Sequence, residues 1–156
     1  MFPDPGLTKG DSAMTTYRYP YSVTRDQAGH YLLKFPDLRG AAKEGKTPTE
    51  ALAEAEDCLG AAVAGYLVRR VYLPKSSYRE GDPFVSLEPL LAAKAALHNG
   101  MLEAGLTRTD LAARLGVDEK IVRRLLDPKH QSHIRAVLHA AGLLGIKAEL
   151  RFECPT

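Results

Sequence analysis

Only two cysteines, Cys58 and Cys154, occur in the 156 residues, far apart and without a CxxC pair or a histidine at ligand spacing. That excludes a disulfide scaffold and argues against a zinc site, and it fits a reducing cytoplasm. No apolar run reaches the roughly 18 residues a membrane helix needs. The longest, Leu59 to Val68, is broken by Gly60 and Gly65 and stops at Arg69-Arg70. No glycine-rich phosphate loop, GxSxG or HExxH is present, so common cofactor and hydrolase signatures are missing. Neither sign of charge dominates: 21 Lys+Arg face 19 Asp+Glu, a net charge of +2. Where the charge sits therefore decides whether nucleic acid is a partner. What is present, 45% hydrophobic and 26% charged residues, is ordinary for a packed soluble protein.

The organisation reads as two modules. Residues 1–16 are polar and Pro/Gly-rich without periodicity, as expected of a disordered leader or tag. From Tyr17 to Thr24, tyrosines and Val23 alternate with polar residues, the period of a half-buried strand. A turn at Asp26–Gly29, a second strand from His30 to Phe35 and a weaker third near Gly40–Gly45 complete a meander. Thr47-Pro48-Thr49-Glu50 carries every helix-start signal: a capping threonine, proline at the first turn and a glutamate that can close a capping box. The helix it opens is predicted to run to Val68, with Leu52, Leu59, Val63, Tyr66 and Leu67 on its inner face. Val71–Leu73 and Phe84–Leu87 are candidate fourth and fifth strands. The first module is thus an α+β layer, β-β-β-α-β, over residues 17–80, and a linker follows at 81–88. Residues 89–156 read as an all-α module with helices over Leu90–Glu103, Thr107–Gly116, Asp118–Asp127 and Ser132–Leu144, then a terminal strand at Ile146–Phe152.

The strongest chemical signal is Thr107 to Leu126. Two short helices meet at Gly116-Val117, a corner too short for anything but a sharp turn. Leu111, Ala112, Leu115, Val117, Val122 and Leu125 are apolar where crossing helices pack, and Thr107 and Asp118 are suited to cap the two starts. This pattern predicts a helix-turn-helix whose second helix enters a DNA major groove. Glu119, Lys120 and Arg124, with Arg123 at the edge, are the candidate base readers. Thr107, Arg108 and Thr109 stand where a phosphate would meet the first helix, and Asp118, at the start of the second, is a further candidate DNA contact. Seven basic residues face four acidic ones between Arg108 and Arg135, whereas residues 1–86 hold eleven of each sign. The positive excess is local to this module.

Catalytic candidates are few. Asp26 and Asp37 flank the second strand, but both lie in turn clusters that favour aspartate anyway. No third carboxylate joins them, so a non-enzymatic protein without metal or cofactor is expected. An active nuclease and a ligand-sensing repressor are the competing readings. Glu50, Glu54 and Asp57 share a helix face, ordinarily a solvated one, that could dock a basic protein.

Gly29-His30-Tyr31-Leu32-Leu33-Lys34-Phe35-Pro36-Asp37-Leu38-Arg39-Gly40, followed by Gly45-Lys46-Thr47-Pro48-Thr49-Glu50-Ala51-Leu52, resembles the HicB antitoxin family, as does Pro74-Lys75-Ser76-Ser77 after the fourth strand. The resemblance implies a degraded RNase H-like layer without nuclease activity. It also implies a partner, a small basic HicA-type mRNA interferase toxin held inactive by the antitoxin. Residues 107–125 are similar to the phage-repressor type of helix-turn-helix, with Arg108 at that pattern's phosphate-contacting glutamine. The combined expectation is a cytoplasmic antitoxin that also represses its own operon by binding double-stranded operator DNA as a homodimer or higher homo-oligomer.

Overall fold

A computed structural model describes residues 14–156; the leader expected at 1–16 lies mostly outside them. The chain is α+β. Strand β1 (Arg18–Pro20) pairs antiparallel with β5 (Phe84–Ser86), and β2 (Ser22–Arg25), β3 (Tyr31–Lys34) and β4 (Ala42–Gly45) form a separate antiparallel meander. The single strand expected over Tyr17–Thr24 is therefore two, in different sheets. The switch falls just after Pro20, which has no N–H to continue a ladder. The alternation itself holds: Tyr19 is 1% exposed, and Tyr17, Tyr21 and Val23 pack against the same core. The segment 81–88, expected as a linker, carries β5.

The long helix is interrupted once. Helices α1 (Pro48–Ala53) and α2 (Ala55–Arg69) are separated by Glu54, whose backbone leaves helical geometry. Thr47 Oγ1 accepts from the Glu50 amide at 3.1 Å, as a capping box requires. The Glu50 carboxylate accepts from Lys46 N at 2.6 Å, one residue earlier than the motif places it. Gly45 is needed before this start, because a Cβ there would lie 2.6 Å from Ala51 N. Ala51, Ala55, Leu59, Val63 and Leu67 form the buried stripe, four residues apart. Leu52, expected on that stripe, is displaced by one position and is 40% exposed.

Val71–Leu73 is not a strand. After α2 ends on Arg70 in the left-handed conformation (φ 57°), the chain lies along helix α3 (Pro89–Ala104) and side chains take its polar groups. His98 Nε2 contacts Val71 O at 2.7 Å. Asn99 Oδ1 accepts from Leu73 N, and Asn99 Nδ2 donates to Leu73 O, each at 2.9 Å. These bonds replace the strand neighbour that the sequence pattern anticipates.

Helices α4 (Arg108–Leu115), α5 (Glu119–Leu126) and α6 (Ile134–Gly142) follow. The fourth helix of the module begins two residues later than expected, because the Ser132 hydroxyl that could have capped it is bonded elsewhere (below). Residues 146–152 form no strand. Among the described residues they pair with no strand, and the backbone of 147–152 makes no backbone hydrogen bond.

Two apolar cores result, and α3 belongs to both. Ala95 joins the core of the sheets and α2, while Ala93, Leu97 and Met101 join Leu111, Val122, Leu125, Val137 and Ala140. No helix among the described residues is long and apolar enough to cross a membrane. Asn99→Ala is expected to lower the unfolding free energy by about 1–3 kcal/mol, because it leaves Leu73 N and O unpaired at the junction of the cores. Urea denaturation, with hydrogen exchange at the Leu73 amide, measures it.

Candidate nucleic-acid interface

α4 and α5 meet at Gly116-Val117-Asp118. Gly116 takes φ 67°, a conformation that costs little only for glycine, and Val117 N donates to Ala112 O at 3.0 Å to close α4. Thr107 and Asp110 form a full capping box: Thr107 N donates to Asp110 Oδ2 at 2.9 Å, and Asp110 N to Thr107 Oγ1 at 3.1 Å. Donation from the Thr107 backbone N–H, and after it from the Thr107 side chain, holds the Asp110 carboxyl below the usual carboxylate range. Asp118 Oδ1 accepts from Lys120 N at 2.8 Å and starts α5. Leu111, Ala112, Val122 and Leu125 are buried between the helices, as their spacing predicts.

The outer face of α5 is cationic. Lys120, Arg123 and Arg124 are exposed on the side away from Val122 and Leu125. Glu119 is only partly exposed and pairs with Arg123 at 2.7 Å, one helical turn on. Arg123 is thus more central, and Glu119 less free, than the sequence implies. Thr107 and Asp118, candidate DNA contacts, have their side-chain oxygens committed to capping, while Thr109 is exposed in the first turn of α4. Arg108 lines a groove of about 710 Å³ with Arg70, Met101, Leu102, Glu119 and Arg123. Burial, then the neighbouring Arg70, lower its pKa, and Glu119 partly opposes them.

No sequence motif points to Lys94, yet it organises this site. It lies in the middle of α3, 1% exposed. Its ammonium donates to Arg124 O (3.0 Å), Asp127 O (2.6 Å), His130 O (2.9 Å) and Ser132 Oγ (2.9 Å). Ser132 Oγ in turn donates to Arg124 O at 3.2 Å. The carbonyl end of α5 and the turn after it therefore wrap one buried cation, which suits the negative pole of a helix. Desolvation lowers the Lys94 pKa, against the opposing pull of Asp127 and Glu88. The available signal was a lone charge inside the apolar run Leu90–Leu97.

The remaining candidates do not assemble. Asp26 Oδ1 accepts from His30 N at 2.8 Å, and Asp37 accepts from both Ser77 N and Ser77 Oγ at 2.8 and 2.7 Å, so both carboxylates brace turns. Glu50 is bound to Lys46 N, Glu54 pairs with Lys43, and Asp57 is exposed. The three therefore do not form a uniform free acidic stripe.

Residues 18–96 match the model of the HicB-like antitoxins of bacterial toxin–antitoxin systems. The chain belongs to the HicB-like antitoxin family. Among its relatives, antitoxin HicB of Pseudomonas fluorescens (strain Pf0-1) is 36% identical over 141 residues, covering 88% of this chain and 94% of its own length. Antitoxin HicB 2 of Photorhabdus laumondii is 34% identical over 133 residues (85% and 94%). Antitoxin HicB of Escherichia coli K12 is 32% identical over 134 residues (85% and 97%). The HicB match ends within α3, just past Lys94, whereas the pairwise similarities extend over most of the chain. The Phe35-Pro36-Asp37-Leu38 run that resembles the family has a structural task here. Leu38 N bonds Phe35 O, Ala41 N bonds Leu38 O, and Asp37 clamps the loop at Ser77.

Lys94→Met, similar in length but without donors, leaves three carbonyls without this partner. A loss of about 2–4 kcal/mol in unfolding free energy is expected from urea denaturation.

Proposed function

We propose that this antitoxin neutralises a small basic HicA-type mRNA interferase through its α+β layer and represses its own operon through α4 and α5. In this reading α4 and α5 are a helix-turn-helix, and α5 lies in the major groove of operator DNA. The layer is a reduced RNase H-like fold that binds protein and carries out no catalysis, in keeping with relatives named antitoxins. The protein acts in the cytoplasm, as a homodimer on a palindromic site.

One observation carries the DNA reading. α5 offers Lys120, Arg123 and Arg124 on a single exposed face, while its opposite face is buried against α4 and its carbonyl end is fixed by Lys94. A short cationic helix held rigidly at both ends suits groove entry, because its side chains meet base edges without first ordering the helix. Lys120 and Arg124 suit guanine edges, and Arg108 and Thr109 suit phosphates. Arg123 would trade Glu119 for the DNA.

For the toxin, the proposed surface is the α1–α2 side of the layer. Asp57 is exposed there, and Glu54 would exchange Lys43 for a cation of the partner. Glu50 supports the helix start more than it offers charge.

Lys120→Ala and Arg124→Ala are each expected to weaken operator binding by about 1–3 kcal/mol while leaving toxin neutralisation intact. Fluorescence anisotropy on the operon's own promoter, beside a growth-rescue assay with the neighbouring toxin, measures both. Unchanged DNA affinity in both variants removes the recognition role of α5.

A further inference from the structure

Arg70 stands where a glycine would serve the backbone better. Helices α3 and α4 each end on a left-handed residue, and both use glycine there, Gly105 (φ 64°) and Gly116 (φ 67°). Helix α2 ends the same way on Arg70 at φ 57°, and no other non-glycine among the described residues has a positive φ. The turn itself needs no side chain: Arg70 N donates to Leu67 O at 3.2 Å, and Val71 N donates to Tyr66 O at 3.1 Å. A side chain in this conformation carries strain that glycine avoids, and strain of this kind gathers where function requires the side chain. Beyond the turn, His98 holds Val71 O, so the root of Arg70 is fixed from both sides.

The side chain joins others of its own sign. Arg70 lines the groove between the end of α2 and the start of α4 together with Arg108 and Arg123. Glu119 is the one carboxylate in that lining, and it already pairs with Arg123. Among the described residues neither Arg70 nor Arg108 enters an ion pair. Arg70 lies close enough to Arg108 to lower its pKa, second only to burial. Like charges held together in this way favour an anion between them. Arg123 belongs both to the groove and to the exposed cationic face of α5, so the positive surface runs unbroken from Arg70 to Lys120 and Arg124. A continuous polyanion matches that run better than a single small anion does. A duplex strand offers a phosphate about every 3.4 Å along its axis, enough to serve several of these guanidiniums at once.

We propose that Arg70 is a DNA-backbone contact supplied by the α+β layer, clamping with Arg108 the operator strand that passes the start of α4. The layer is then more than a protein-binding unit. It adds affinity for duplex DNA without reading its sequence, because phosphates are the same at every base pair. The inference rests on the operator reading of α4 and α5 and adds to it a cation that those two helices do not carry.

Full-length Arg70→Gly and Arg70→Lys variants test it, titrated by fluorescence anisotropy against the operon's promoter and an unrelated duplex over a range of salt. Glycine should weaken binding about tenfold, by the same factor on both duplexes, and reduce the slope of log affinity against log salt by about one. Lysine should keep the slope. Because glycine suits a left-handed residue, Arg70→Gly should melt at the wild-type temperature or above it, which separates a lost contact from a lost fold. Unchanged affinity and slope in Arg70→Gly overturn the proposal and leave the operator reading in place. So does a loss confined to the promoter, a lysine variant no better than glycine, or a lower melting temperature in Arg70→Gly, which would deny the strain. A wild-type chain that binds neither duplex removes the operator reading and the Arg70 contact together.

Discussion

The ammonium of Lys94 is the constraint on which the arrangement of the second module depends. An unpaired buried cation is costly in a protein interior, and this one is tolerated because three carbonyls and a hydroxyl surround it. Those acceptors come from the last turn of α5 and the loop that leads into α6. One side chain of α3 therefore fixes where α5 ends and where α6 begins. The same helix reaches the other core through Ala95, and Asn99 binds the chain leaving α2. The α+β layer and the cationic helix are consequently both held against α3.

That mounting gives the two proposed activities a common frame. Ala95 of α3 packs in the core of the layer, and Lys94 one residue before it holds the end of α5. The groove lined by Arg70 and Arg108 sits at this junction, where the end of α2 approaches the start of α4. Positive charge from both modules meets there.

Much of this was legible in the sequence. The corner at Gly116, the caps at Thr107 and Asp118 and the start at Thr47 follow local rules whose energetics lie within a few residues, and the structure places them as those rules predict, save that Glu50 reaches Lys46 N instead of closing its capping box. Misreadings arose where a distant side chain competed with a local preference. Val71–Leu73 has strand composition, but Asn99 and His98 supply its hydrogen bonds. Ser132 has the chemistry of a cap but serves Lys94. Ile146–Phe152 alternates as a strand should, yet it pairs with no strand among the described residues. Periodicity reports what a segment can do, and long-range partners decide what it does.

Methylation interference on the promoter of the chain's own operon is the most direct test of the central claim that α5 reads the major groove. Methylating guanine N7 should block binding at two clusters about one helical turn, or a multiple of it, apart, related by a two-fold. Binding indifferent to guanine N7, or sensitive only to adenine methylation in the minor groove, would contradict it.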